Sequence, residues 1–168
     1  MIIENQYIKQ VLIESGWHEN RAIDTSHYIK WYQKYGFKVL DEIISFLSSF
    51  GELTLKIPCY RYQVRLTKYE DNTDEIITIN PNHFITPDYS DSDIKESIEY
   101  VNDIGKYFGM KLIVPIGYTK DFEDEYFLGM NTELIAAHEG NVICFGTTFE
   151  KSLERIMTDE FIDTDCIW

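Results

Sequence analysis

The chain is expected to fold as one α+β domain, with a central, mainly antiparallel sheet flanked by helices. Three observations predict this. Apolar residues recur at helical spacing up to Gly51 and switch to a two-residue period from Leu53. A second helical stretch, near residues 92–109, is followed by short alternating runs resembling a meander. The length of 168 residues, with 44% apolar and 15% aromatic content, suits a single domain able to bury a core without staples.

The elements follow in order. Ile3, Tyr7, Val11 and Leu12 repeat at helical spacing and stop at Gly16, suiting a helix ended by a left-handed glycine. After a loop from Trp17 to Arg21, Asp24 or Thr25 can cap a second helix carrying Tyr28, Trp31, Tyr32 and Tyr35, closed by Gly36. Val39, Leu40, Ile43, Ile44, Leu47 and Phe50 form a third stripe ending at Gly51. Leu53, Leu55 and Ile57 alternate as a strand, as do Tyr62, Val64 and Leu66, and Ile76–Ile79 forms a short strand ending at Asn80-Pro81.

The polar stretch 81–92, broken by two prolines, is a loop within the domain. Ile94, Ile98, Val101 and Phe108 mark a long helix, with Ser92 or Asp93 as cap and Gly109 as end. Leu112 to Gly117 reads as a buried strand stopped by Pro115 and Gly117. Strands near 126–130 and 133–137, a turn at 138–141, a return strand at 142–145 and a helix bearing Phe149, Leu153, Ile156 and Met157 complete the chain. The core is expected within about residues 16–157, followed by an acidic tail at 159–168 that either is disordered or docks as an interface arm.

Charge is one-sided. Residues 1–69 hold nine Lys/Arg and seven Asp/Glu, a balance of +2, whereas residues 70–168 hold six and twenty-two, a balance of −16, so the net −14 arises in the second part. Such a field repels phosphates and anionic lipid and attracts cationic proteins. Solubility alone is the alternative explanation. Direct nucleic-acid binding and membrane insertion are disfavoured, since the longest apolar runs fall far below spanning length. No signal peptide is recognisable, and three cysteines, an odd count and widely spaced (Cys59, Cys144, Cys166), argue for reduced thiols in the cytoplasm.

Spacing argues against a site of chemistry. Asp91-Ser92-Asp93-Ile94-Lys95-Glu96 opens like a calcium loop but has Lys at its fifth position and lacks the sixth-position glycine. His18, His27, His83 and His138 form no metal-binding pair, and no nucleophile elbow, Walker loop or dinucleotide fingerprint occurs. No enzyme, metal or cofactor is expected. Four landmarks instead have structural work to do. They are Gly16-Trp17 with Arg21, Phe46-Leu47-Ser48-Ser49-Phe50-Gly51-Glu52-Leu53, Val114-Pro115-Ile116-Gly117, and the hairpin-like run 126–146. Trp17 would staple the first helix to the core, and Arg21 would pair with a carboxylate or with carbonyls. Trp31 and Tyr35 could be core or a partly exposed anchor.

In their order and spacing these landmarks resemble the SUKH superfamily, most closely its third subgroup of bacterial immunity proteins, from about Gly16 to Met157. Two positions depart from the family pattern: Asn20 stands where a glycine usually precedes the arginine, and Glu52 where a second glycine follows Gly51. The resemblance implies an α+β fold and a role as antidote to a secreted toxin of a polymorphic toxin system, commonly a nuclease or a deaminase, without catalysis.

Combined with the charge, this suggests occlusion of a basic toxin domain by direct protein–protein contact. Asp71, Asp74, Glu75, Asp121, Glu123, Asp124 and Glu125 are the candidate acidic contacts, chosen for charge density. Tyr89, Tyr118 and Tyr126 are the candidate anchors beside them. The competing expectation is a general cytoplasmic interaction module with no toxin partner.

Overall fold

Six strands pair in chain order, and every pairing is antiparallel, so the sheet is a meander β1-β2-β3-β4-β5-β6. The computed structural model describes residues 2–58, 74–119, 124–138 and 141–158. The strands are β1 (Thr54–Ile57), β2 (Glu75–Ile79), β3 (Ile113–Thr119), β4 (Glu125–Gly129), β5 (Leu134–His138) and β6 (Asn141–Cys144). The helices are α1 (Gln6–Glu14), α2 (Ser26–Lys34), α3 (Asp41–Phe50), α4 (Asp91–Tyr107) and α5 (Phe149–Thr158). The expected strand at Tyr62, Val64 and Leu66 lies outside the described residues, as does the tail from 159.

Both faces of the sheet are buried, by different helices. Side chains alternate along a strand, so Tyr126 and Leu128 turn to one face and Phe127 to the other. The first face packs with α1, α2, α3 and α5 into the larger core, which includes Leu12, Tyr32, Phe46, Phe50, Phe149 and Leu153. The second face carries Ile113, Phe127, Ile135, Ala137 and Val142 against Val101 and Ile104 of α4. Trp17 is buried, with its ring stacked 5.9 Å from Phe50 at 8°. Trp31 is half-buried and stacks on Phe37, while Tyr35 is buried.

Several element ends follow their expected chemistry. Gly16, Gly36 and Gly109, which follow α1, α2 and α4, take positive φ. Asp24 accepts from the Ser26 amide at the start of α2 (2.9 Å). Phe149, Leu153, Ile156 and Met157 are all buried in α5.

Three expectations change. Tyr7 leaves the apolar stripe of α1 and is exposed. α4 starts at Asp91 rather than after Ser92 or Asp93, because Ser90 and Asp93 form a reciprocal capping box. Ser90 Oγ accepts from the Asp93 amide, and the Asp93 carboxylate accepts from the Ser90 amide (2.8 Å).

Pro115 and Gly117 do not stop β3. They make a bulge with Ile116 as the extra residue, since Pro115 pairs with Phe127 and Gly117 with the adjacent Tyr126. A bulge is where a central strand can accommodate a residue lacking an N–H. The Pro115 carbonyl, in turn, accepts from the buried Tyr32 hydroxyl (2.6 Å), tying α2 to β3.

Candidate partner-binding surface

The turn after α3 is clamped rather than open. Arg21 donates through Nη1 to the Ser49 carbonyl (2.9 Å) and through Nη2 to the Gly51 carbonyl (2.7 Å). The Ile23 amide adds a bond to the Ser48 carbonyl (3.0 Å). Carbonyls at a helix C-terminus lack intrahelical partners, so a cation with two donors satisfies both charge and hydrogen bonding there. Gly51 has φ −52; what requires glycine is space. A Cβ there would lie 2.6 Å from the Leu47 carbonyl and 2.9 Å from the Tyr28 ring. The left-handed position falls one residue on, at Glu52, with φ +64. Asn20, by contrast, is not among the residues of positive φ. These residues build the scaffold; the cleft described next lies on the second sheet face.

On that face β3 and β4 place Tyr118 directly across from Glu125. The opposite wall is the loop after β2. Asn80 accepts from the Asn82 amide (3.2 Å) and starts the single turn Pro81–His83. From there Phe84 packs edge-on against Phe127 (5.6 Å), Ile85 is buried, and the His83 ring lies 4.4 Å from that of Tyr118. Anchored in this way, the loop brings Thr86 and Tyr89 to face Gly117, Tyr118 and Glu125 across an open cleft of about 200 Å³. Tyr89 is 39% exposed at its rim.

Glu125 is half-buried, and among the described residues no hydrogen bond or ion pair engages its carboxylate. Burial pushes its carboxyl above the usual range. Burial, and then the charge of Glu125, push the neighbouring Tyr100 phenol of α4 upward.

The other candidate contacts are placed differently. Asp74 pairs with Lys56 (2.8 Å), and Asp124 with His138 (2.8 Å). Glu75 accepts from the Tyr126 hydroxyl (2.7 Å), and Tyr126 is only 1% exposed, so that phenol is an internal tie and not a surface anchor. Asp71, Asp121 and Glu123 lie outside the described residues. The structure therefore brings Tyr89, Tyr118 and Glu125 together in the lining of one cleft, which does not include Asp74, Glu75, Asp124 or Tyr126.

An acidic face that charge density along the chain did not single out runs along α4. Asp88, Asp91, Asp93, Glu96, Glu99 and Asp103 are all exposed beside the cleft-forming loop or on the helix it leads into. Lys95 lies 3.6 Å from Glu99, and Lys106 lies 2.8 Å from Asp103. The spacing of 96, 99 and 103 is the signal that could have found it, since residues three and four apart share a helix face.

These features define a single-domain α+β scaffold with one sheet face given over to structural helices. The SUKH-3 immunity protein family model matches residues 4–159, and the chain belongs to that family. The match begins ahead of Gly16 and takes in α1. No curated protein and no solved structure matches the chain. Membership makes this an immunity protein, whose role is to neutralise a cognate toxin. Among the described residues, no helix is long and apolar enough to cross a membrane.

Proposed function

We infer that the chain neutralises its toxin in the cytoplasm by binding and covering a basic toxin domain, with the α4 side of the sheet as the contact face. One observation carries this: the loop that walls the cleft, with Tyr89 exposed at its rim, leads directly into α4, whose Glu96, Glu99 and Asp103 are exposed. Acidic rim charges accelerate encounter with a cationic partner, and a central aromatic pocket supplies the contacts that hold it. A toxin acting on nucleic acid, such as a nuclease or deaminase, needs a positive surface for phosphates, and this face complements one. Asp121 and Glu123, with Asp71, remain candidate contacts on charge alone, and Asp124 joins them through its partly exposed carboxylate.

The test is co-expression with a toxin domain sought in the adjacent gene, followed by association kinetics across salt. Growth rescue by the wild-type chain is expected. The triple variant Glu96→Gln, Glu99→Gln, Asp103→Asn should associate more slowly at low salt and lose part of the salt dependence, because the Debye length shrinks from about 10 Å at 0.1 M to about 3 Å at 1 M. Equal association rates for variant and parent at low salt would remove α4 from the interface.

A further inference from the structure

We propose that the cleft between the 83–89 loop and the β3–β4 pair is a receptor for one arginine side chain of the toxin, with Glu125 as the acceptor and Tyr89 and Tyr118 as its aromatic walls. The identity of the partner rests on the immunity assignment above; the chemistry of the cleft does not. Four observations converge on a guanidinium. The cleft is about 200 Å³, the scale of a single long side chain. Its lining includes Tyr89 and Tyr118, the latter packed against the His83 ring, and aromatic rings of this kind attract cations. Its one carboxylate, Glu125, is directly across the strand pair from Tyr118. Among the described residues that carboxylate has neither hydrogen bond nor ion pair, although it is half-buried.

An unpaired carboxylate held partly out of water costs stability unless something supplies the missing partner. Among the described residues, the nearby strand-end carboxylates Glu75, Asp74 and Asp124 are engaged, by Tyr126, Lys56 and His138 respectively. Glu125 alone in this group faces an open cavity. Arginine fits better than lysine for geometric reasons. Its planar head stacks on aromatic faces, can give two parallel N–H bonds to one carboxylate, and loses less hydration on entering a pocket. The exposed carboxylates of α4 would favour the approach of such a cation to the pocket mouth.

The probe is N-acetyl-arginine amide, titrated into the full-length labelled protein at low ionic strength and followed by two-dimensional NMR. Saturable shifts are expected at the amides of Tyr89, Tyr118 and Glu125. N-acetyl-lysine amide should bind about fivefold more weakly or worse, and the neutral N-acetyl-citrulline amide should give no saturable shift. Glu125→Gln should abolish the arginine response while leaving the spectrum native, because the substitution is isosteric. Absence of saturation, an equal response to citrulline, or a response surviving in Glu125→Gln overturns the proposal.

With the neighbouring toxin domain as a second probe, Glu125→Gln and Tyr89→Ala should each raise the dissociation rate about tenfold or more. Tyr89→Ala, at an exposed rim position, keeps the test open should Glu125→Gln prove misfolded. If the wild-type chain binds the toxin and both variants match it, the arginine receptor is refuted while neutralisation stands. If the wild-type chain does not bind that toxin yet shows the arginine-specific, Glu125-dependent shifts, the partner assignment fails and the receptor stands.

Discussion

Replacing Arg21 with alanine should destabilise the domain by about 2–4 kcal/mol. Its guanidinium bridges the Ser49 and Gly51 carbonyls at 2.9 and 2.7 Å, and the side chain is half-buried. Hydrogen bonds to a charged group contribute about 1.5–3 kcal/mol each, and two that share one cation sum to less than twice that. The carbonyls left behind sit at the C-terminus of α3, where helix geometry offers them no other donor.

The damage would propagate, because the Glu52 amide that follows this turn donates to the Ile79 carbonyl and starts the β1–β2 ladder. Arg21→Lys supplies charge without the fork and should recover less than half of the deficit. Urea unfolding, compared at constant slope, measures all three proteins. Hydrogen exchange at Glu52 should also accelerate in the alanine variant. A destabilisation below about 1 kcal/mol for alanine, or a lysine variant as stable as the parent, would refute the bridging argument.

Glu52→Gly should raise stability by about 0.5 kcal/mol, since relief of about 1–2 kcal/mol at φ +64 exceeds glycine's extra backbone entropy of about 0.5–1 kcal/mol; thermal melts at matched concentration decide it. The substitution also removes the carboxylate that His27 approaches at 4.0 Å, a largely solvated pair whose contribution is small. Gly117→Ala should lower stability by about 2–4 kcal/mol or prevent folding, because a Cβ would intrude on the Thr78 carbonyl across the β2–β3 pair, and a denaturation midpoint equal to the parent's would refute that close approach. Glu125→Gln should be more stable than the parent at pH 7. Its carboxyl is raised above 4.5 in the folded state, so the folded chain holds more protons between 4.5 and the raised value, and the parent loses stability as pH rises through that window. The gap should close below pH 4.5, and a parent more stable than the variant at pH 7 would show that Glu125 has a partner in solution.

Much of the fold was legible because it rests on local periodicity. The stripes of α2, α3 and α5, the alternation in β1 and the positive-φ glycines are all properties of a few consecutive residues. Where the sequence misled, a distant or reciprocal partner decided the outcome. Pro115 and Gly117 look like a strand end, yet pairing with β4 carries β3 through both with one residue bulged out, and β2 pairs from Gly117 onward. Ser92 and Asp93 look like caps, yet the box closes between Ser90 and Asp93. The surroundings of the candidate contacts depend on distant partners in the same way. Charge density picked Asp74, Glu75 and Asp124, whose partners Lys56, Tyr126 and His138 lie on other strands or across a hairpin. The cleft joining Tyr89, Tyr118 and Glu125 depends on a strand register and a loop anchored by Phe84 and Ile85, and only Tyr118 and Glu125 are close in sequence.

The two sheet faces have different mechanical demands, and the position of the cleft follows from them. Four helices pack the first face into a single apolar cluster, with Tyr32 reaching from α2 to the bulge carbonyl of Pro115. That side leaves its side chains little freedom to meet a partner. Among the described residues the second face is packed by α4, which covers Phe127, Ile135 and Ala137. Tyr118 and Glu125 lie toward the start of β4, where the 83–89 loop takes the place of a helix as the opposite wall. A loop can carry exposed aromatic rims such as Tyr89, whereas a helix packed on a sheet buries that stripe. The Ile116 bulge on β3 sits immediately before this spot, and bulges re-aim the residues that follow them. The rigid face thus fixes β3, β3 fixes Tyr118 against Glu125, and the cleft forms where, among the described residues, a loop and not a helix faces the sheet.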